Sequence, residues 1–206
     1  MWGPSYEDMY AVGDGGTILH FDGTSWTKMQ SGTTKNLYSI WGTNDQNIWA
    51  AGWDVHHAIS EILHYDGTSW TKDVLASNGE GYKWGLGEVW ACDSAGSHVT
   101  FVSGSQLFRK TGSGIWREDD SDKIGNRYSD GGYDGVGIKG NSPNDLIAAG
   151  NSGFIAHWNG KSWHSYPDFF DASSLAIGLA GMAMKDNTAC LVGDNNGASW
   201  IAIGQR

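Results

Sequence analysis

The chain has 206 residues, of which 31 are glycine, 12 are tryptophan and only 3 are proline. Its formal net charge of −10 argues against binding to nucleic acid or to anionic membranes, because both need a basic surface. No apolar run is long enough to cross a membrane and no helical period persists, so we expect an all-β chain without membrane insertion.

The first repeat covers approximately residues 1–35. It carries Trp2-Gly3, then Met9-Tyr10-Ala11-Val12-Gly13-Asp14, then a run from Ile18 to Lys28 that contains Asp22-Gly23. An Asp-Gly pair between two apolar runs is a strong hairpin signal. The residues before Met9 supply little of an inner strand, so we expect the first repeat to be incomplete.

The second repeat, approximately residues 36–80, has the clearest pattern. Four short strands are predicted, at Leu37–Trp41, Asn47–Gly52, Glu61–Tyr65 and Trp70–Val74. Polar turns separate the first strand from the second, and Asp66-Gly67-Thr68-Ser69 separates the third from the fourth. This repeat therefore predicts one four-stranded antiparallel unit.

Three further repeats complete the chain. They cover approximately residues 81–130, 131–172 and 173–206; the third copy is degenerate and the fifth lacks a fourth strand. Repeats of about 40–50 residues built from short strands are typical of a β-propeller. We predict one domain over residues 1–206 with five four-stranded blades, the first and last of them incomplete in sequence.

The quoted motifs resemble those of a family of bacterial propeller repeats. Its pattern runs Trp-Gly, then Ala-Val-Gly-Asp-Gly-Gly-Thr-Ile-Leu-His, then Asp-Gly-Thr-Ser-Trp, and it is related to Asp-box (BNR) repeats and to photosystem II assembly-factor propellers. The resemblance is close in copies one, two and four and covers essentially the whole chain. It implies the propeller fold and little about activity, since propellers have many functions. An extracellular or periplasmic location is expected.

Residues that recur in the repeats are interpreted as scaffold. Four tryptophans that begin the fourth strands are expected to pack one blade on the next: Trp26, Trp70, Trp116 and Trp163. Three turn residues are expected to cap their turns through hydrogen bonds: Asp22, Asp66 and Asn159. Three histidines lie at equivalent points of separate blades, which favours structural hydrogen bonds over a zinc site: His20, His64 and His157.

The segments that interrupt the repeat are the candidates for function. They are long connections that emerge on one face of a propeller, and long ordered loops tend to be functional. Their aromatic rings could stack on a sugar ring, while their polar groups could hydrogen-bond to its hydroxyls. The predicted ligand-binding residues are Trp53, Asp54, His56, His57, Tyr82, Trp84, Asp130, Tyr133 and Asp134.

Three functions remain open. The first is a non-catalytic carbohydrate-binding, lectin-like propeller; the second is a scaffold for protein interaction and assembly; the third, less favoured, is a glycosidase or polysaccharide lyase. No nucleophile elbow, phosphate loop or metal motif occurs, so no catalytic residue, metal or cofactor is predicted. The expected partner is a glycan or a protein, and unpaired strand edges would also allow a homo-oligomer.

Overall fold

The computed structural model describes residues 1–54, 59–73, 86–94, 97–104, 107–118, 137–150, 154–166, 177–195 and 198–205. Strands dominate these residues, and a 3₁₀ turn at Asp14–Gly16 is the one helical element among them. No helix in this part of the chain is long and apolar enough to span a membrane.

The strands form five antiparallel sheets, and within each sheet the strands follow chain order. Sheet 1 contains β1 (Trp2–Ser5), β2 (Asp8–Gly13), β3 (Thr17–Phe21) and β4 (Trp26–Met29). Sheet 2 contains β5 (Asn36–Asn44), β6 (Asn47–Asp54), β7 (Ile59–Tyr65) and β8 (Trp70–Asp73). Sheet 3 contains β9 (Leu86–Ser94), β10 (Ser97–Gly104), β11 (Leu107–Thr111) and β12 (Arg117–Glu118). Sheet 4 contains β13 (Gly137–Ser142), β14 (Asp145–Ala149), β15 (Ile155–Trp158) and β16 (Trp163–Ser165). Sheet 5 contains β17 (Ile177–Lys185), β18 (Thr188–Asn195) and β19 (Ala198–Gln205).

The turns between third and fourth strands are capped as predicted. The Oδ1 atom of Asp22 accepts hydrogen bonds from the amides of Thr24 and Ser25, at 2.9 and 2.8 Å. Asp66 and Asn159 make the same pair of bonds in sheets 2 and 4. A side chain that satisfies its own turn explains why a short polar segment suffices to reverse the chain.

The core lies between successive sheets. One buried cluster joins sheets 1 and 2, and others join sheets 2 and 3, 3 and 4, and 4 and 5. Trp70 packs between sheets 1 and 2, and Trp116, which immediately precedes β12, packs between sheets 2 and 3. Trp163 is half-buried between sheets 3 and 4. These three tryptophans therefore contact the preceding sheet, as predicted.

The first strands of the sheets meet side by side. The indole of Trp41 in β5 donates a hydrogen bond to the carbonyl of Ala91 in β9, at 2.9 Å. The ammonium of Lys139 in β13 lies 4.8 Å from the centre of the same indole ring. One side chain from sheet 2 thus contacts both sheet 3 and sheet 4, which brings three first strands around a common centre.

Sheet 1 differs from the prediction in two respects. It has a first strand, β1, because Trp2 pairs with Tyr10 and its ring stacks against that side chain at 6.4 Å. In addition, Trp26 is 43% exposed, although the sequence predicted that it would pack between blades. The packing prediction was wrong for Trp26 because the buried cluster that includes sheet 1 lies on its other side, against sheet 2.

Sheet 5 exposes apolar side chains on its face away from sheet 4. It has three strands in the described part of the chain, as the sequence predicted, and β19 forms its edge. Ile201 is 70% exposed, and Ile203 and Val192 share the exposed face. Ala202, between the two isoleucines, packs instead on sheet 4. Alternation along the strand therefore places one apolar face of sheet 5 in the core and the other in solvent.

Candidate functional site

Two of the predicted ligand-binding residues fall on described strands. Trp53 lies near the end of β6, and Asp54 is the last residue of that strand. The other seven lie outside the described residues and stay predictions from sequence: His56, His57, Tyr82, Trp84, Asp130, Tyr133 and Asp134. The described part of the site therefore centres on Trp53.

Trp53 forms an aromatic pair with Tyr38, a residue that the sequence did not identify. The ring centroids are 6.2 Å apart at an interplanar angle of 45°, and Tyr38 is 46% exposed. The pair joins the first and second strands of sheet 2 at the end where the β6–β7 connection emerges. An exposed aromatic surface of this kind can stack on a ligand ring.

A β-bulge places Tyr38 in this position. The pairing between β5 and β6 shifts between Leu37 and Ser39, so Tyr38 is the extra residue. Sheets 3 and 5 have the same irregularity, where the extra residues are Gly87 and Ala180. The bulge is thus part of the repeated scaffold, and among these three sheets only sheet 2 places an aromatic side chain on it. Bulges often redirect a side chain at a functional site.

A polar groove lies between sheets 1 and 2 at the same end of sheet 2. Its volume is about 370 Å³, and it is lined by residues 28–35 together with Gly15, Gly16, Glu61 and Lys72. We call it the lysine groove. The amide of Gly15 donates to the side-chain oxygen of Asn36 at 2.9 Å, and a Cβ at Gly16 would collide with the carbonyl of Thr33. The two glycines therefore let the β2–β3 turn pack closely on the β4–β5 connection.

Glu61 forms the floor of the lysine groove. This residue is only 7% exposed, yet it carries a carboxylate. The hydroxyl of Thr33 donates to its Oε2 at 2.8 Å, and the Lys35 ammonium lies 3.2 Å from the same oxygen. The Lys72 ammonium lies 2.6 Å from Oε1. Each oxygen therefore lies within 3.2 Å of an ammonium group, and this charge pairing offsets the cost of burying the carboxylate.

Charge pairing keeps Glu61 ionised. Burial by itself raises the pKa of the Glu61 carboxyl, but the hydrogen bonds from Lys72 and Thr33 and the charge of Lys35 outweigh it and leave the pKa below its ordinary value. The groove lining holds three lysines against this one carboxylate, a formal excess of two positive charges. This local excess contrasts with the net charge of −10 over the whole chain.

Glu61 also breaks the repeat. In sheets 1, 2 and 5, a glycine near the end of the second strand pairs with a residue of the third strand. That residue is Thr17 in sheet 1, Glu61 in sheet 2 and Trp200 in sheet 5. In sheet 4 the amide of Gly150 bonds to Phe154 at the same place. Neutral side chains therefore occupy this position in sheets 1, 4 and 5. Alignment of the repeats could have revealed Glu61, but only the fold shows that Lys35 and Lys72 reach it.

The recurring histidines are structural, as the sequence predicted. The Nε2 atoms of His20 and His157 donate to the carboxylates of Asp8 and Asp145, at 2.7 and 2.9 Å. His64 makes the corresponding bond to Asn47 at 2.8 Å. Each partner lies at the start of the second strand of the same sheet, so these bonds hold hairpins together. In the described part of the chain, no group of three or more His, Cys, Asp or Glu residues converges as a metal site.

Comparison with known proteins identifies the fold. No protein-family model and no curated protein matches the chain. Its structure is similar to YCF48 bound to D1 peptide, with a TM-score of 0.63, 13% identity, and coverage of 98% of this chain and 61% of that chain. It is also similar to YCF48 from Cyanidioschyzon merolae, with a TM-score of 0.60, 13% identity, and coverage of 100% and 67%. The chain is a β-propeller.

The fold is also similar to that of a fungal lectin. The fucose-recognising lectin of Aleuria aurantia, a six-bladed β-propeller, is 18% identical and has a TM-score of 0.56, with coverage of 97% of this chain and 73% of that chain. The chain thus spans about three fifths to three quarters of the length of these propellers. At such identities the similarity establishes the fold, while function must be argued from the site.

Proposed function

We propose that this propeller is a non-catalytic carbohydrate-binding protein whose ligand lies on the face where the β2–β3, β4–β5 and β6–β7 connections emerge. The observation that carries the proposal is the Tyr38–Trp53 pair, in which a bulge places the exposed ring of Tyr38 beside the half-buried ring of Trp53. Sugar rings present an apolar face that stacks on such a surface. We further propose that the loop residues predicted from sequence, from His56 to Asp134, belong to the same site, and that the five sheets are five blades of one domain.

Two observations support a lectin over an enzyme. Among the described residues that line the lysine groove, Glu61 is the one carboxylate, and it is held by two lysines. Glycoside hydrolysis ordinarily requires a pair of carboxyl groups, one of which accepts or donates a proton. A carboxylate held ionised by two ammonium groups is poorly suited to act as an acid. In addition, a propeller of related fold recognises fucose.

The proposal is tested by glycan-array binding of the chain and of its Trp53→Ala and Tyr38→Ala variants. We expect selective binding that falls by roughly two- to tenfold in each variant, because an aromatic contact contributes about 0.5–1.5 kcal/mol. The matched control is Tyr6→Ala, an 81% exposed aromatic in the β1–β2 turn at the other end of sheet 1. A folded protein that binds no glycan, or equal losses in all three variants, would contradict the proposal.

A protein-interaction scaffold is the second candidate. Exposed aromatic residues are also typical of the centres of protein interfaces. The YCF48 structure contains a bound peptide, and that propeller resembles this chain in fold. A stoichiometric protein partner that is retained by the wild type and lost in Trp53→Ala would favour this candidate. The edge strand β19 and the exposed Ile201 and Ile203 would allow a homo-oligomer, which sedimentation analysis would detect.

A further inference from the structure

The lysine groove contains a charge arrangement that the fold does not require. Thr17, Phe154 and Trp200 occupy the Glu61 position in other sheets without a charge. Burying a carboxylate costs free energy that a neutral side chain avoids. Glu61 nevertheless holds Lys35 and Lys72 at 3.2 and 2.6 Å, so its effect is to fix two ammonium groups in the groove wall.

The ammonium groups of Lys35 and Lys72 have N–H donors that are not directed at Glu61. An ammonium has three N–H donors, and each of these two lysines lies against a single oxygen of Glu61. The Lys72 side chain is 56% exposed, so its remaining donors can reach a ligand. Two positioned ammonium groups with free donors form the wall of a site for an anionic oxygen.

Lys28 supplies a third positive charge. Lys28 and Lys72 pair with Leu19 and Leu63, and both follow a Trp-Thr pair, so they are equivalent in their repeats. Sheet 1 has Thr17 where sheet 2 has Glu61, so the equivalent position gives Lys28 no carboxylate. Lys28 is exposed and lines the groove. Lys28 therefore carries one of the two excess positive charges of the groove, and the cluster of Lys35, Lys72 and Glu61 carries the other.

The remaining lining is hydroxyl-rich and nearly free of apolar side chains. Ser31, Thr33 and Thr34 carry hydroxyl groups, of which the Ser31 hydroxyl donates to the Thr33 carbonyl and the Thr33 hydroxyl to Glu61. Met29 is the one large apolar residue among the described lining residues. Peptides usually bind through apolar anchors, whereas sugars need many small polar groups. The volume of about 370 Å³ is at the lower end of the range for small-molecule sites, which suits one or two sugar units.

We infer that the lysine groove binds the carboxylate-bearing sugar unit of an acidic saccharide, with Lys28, Lys35 and Lys72 around the carboxylate. The inference rests on the proposed carbohydrate-binding function and names a ligand class for it. The groove and the Tyr38–Trp53 pair lie at the same end of sheet 2. Trp53 shares the face of Ala51, which packs toward sheet 3, whereas Glu61 faces the groove beside sheet 1. A long saccharide would therefore have to cross the end of sheet 2 to use both.

Calorimetric titration of the whole chain with hexagalacturonate, and with the same oligomer after reduction of its carboxyl groups, tests the inference. We expect the acidic oligomer to bind, the reduced oligomer to bind at least about tenfold more weakly, and added salt to weaken the acidic complex. Lys28→Gln should weaken acidic binding about two- to fivefold, as expected for one exposed charge. The control Lys161→Gln changes an exposed lysine in the Asn159 turn of sheet 4 and should have no effect.

The outcomes separate this inference from the proposed function. Equal affinity for the acidic and reduced oligomers, or an unchanged affinity in Lys28→Gln, would overturn the inference. Array binding of neutral glycans that depends on Trp53, without binding of hexagalacturonate, would overturn it while leaving the carbohydrate-binding function intact. A folded protein that binds neither glycans nor hexagalacturonate would overturn both.

Discussion

Sheets 1 and 2 contain almost the same hairpin in two different environments. The run Ile18–Lys28 and the run Ile62–Lys72 differ only at Phe21 and Tyr65. Their turns are capped by the same bonds, and the tryptophans Trp26 and Trp70 lie 5.2 Å from the aromatic residue across the hairpin in both. Local structure therefore follows the sequence in each copy.

The two copies of the hairpin differ in how deeply the neighbouring sheets bury them. Trp70 is 7% exposed because it packs in the cluster with sheet 1, whereas Trp26 is 43% exposed. Leu63 is fully buried, and its equivalent Leu19 is only partly buried. Trp70 thus packs against a neighbouring sheet, whereas Trp26 belongs to none of the buried clusters formed by the described residues. The same residue in the same turn is core in one copy and surface in the other.

Replacement of the two tryptophans should show the largest difference between the copies. Trp70→Ala should destabilise the protein by about 3–5 kcal/mol, because it removes a buried aromatic side chain and leaves a cavity. Trp26→Ala should cost about 1 kcal/mol or less, since its ring is partly solvated and contacts mainly Phe21. Urea denaturation of both variants measures the two values. Similar losses of unfolding free energy in the two variants would show that the Trp26 side of sheet 1 is covered in solution.

Features that depend on one hairpin were predictable from the sequence. The caps of Asp22, Asp66 and Asn159 and the hydrogen bonds of the histidines need only neighbouring strands, and both recur in the repeats. Each such feature is fixed by chemistry within a few residues, so its repetition was a reliable guide. The propeller fold followed from the same repetition.

Several features that depend on register or on a neighbouring sheet were not predictable, although the packing of three of the four fourth-strand tryptophans was. The sequence placed Tyr38 inside a continuous strand, because a bulge depends on how β5 pairs with β6. The exposure of Trp26 depends on which side of sheet 1 is covered. The sequence identified Glu61 only as the first residue of a predicted strand, because its role depends on Lys35 and Lys72, which meet it in space. Five of the nine predicted ligand residues are aromatic or histidine residues in long loops predicted from the sequence, where no repeat constrains them.

Removal of the Glu61 charge should have an intermediate effect. Glu61→Gln keeps the side-chain shape but loses the charge opposite Lys35 and Lys72. We expect a loss of about 1–2 kcal/mol in the free energy of unfolding, since bonds to charged groups contribute about 1.5–3 kcal/mol and solvent screens the exposed Lys72. Thr17→Ser, the matched change in sheet 1, should cost less than about 1 kcal/mol. Equal losses at the two positions would show that the ion pairs of Glu61 contribute little to stability.

The smallest expected effect is the pH dependence of the difference in unfolding free energy between the wild type and Glu61→Gln. The pKa of Glu61 is below its ordinary value of 4.5 in the folded protein, because the bonds from Lys72 and Thr33 and the charge of Lys35 outweigh burial. A lowered folded pKa means that the unfolded chain binds the proton more readily, so the contribution is present above the unfolded pKa and is lost as pH falls through the folded value. The stability gap between wild type and Glu61→Gln should therefore be full at pH 7 and shrink below about pH 4–5.

The carboxyl groups in the neighbouring turns do not affect this measurement. The backbone hydrogen bonds from Ser69 and Thr68 lower the pKa of Asp66. In sheet 1, the backbone hydrogen bonds from Ser25 and Thr24 lower the pKa of Asp22 in the same way. Both carboxyls are present in wild type and variant, so their contributions cancel in the difference. Urea denaturation at several pH values between about 3 and 7 measures the gap. A gap that stays constant over this range would mean that the folded pKa of Glu61 is not lowered, and the two lysines would then have to be held in the groove by something other than the Glu61 charge.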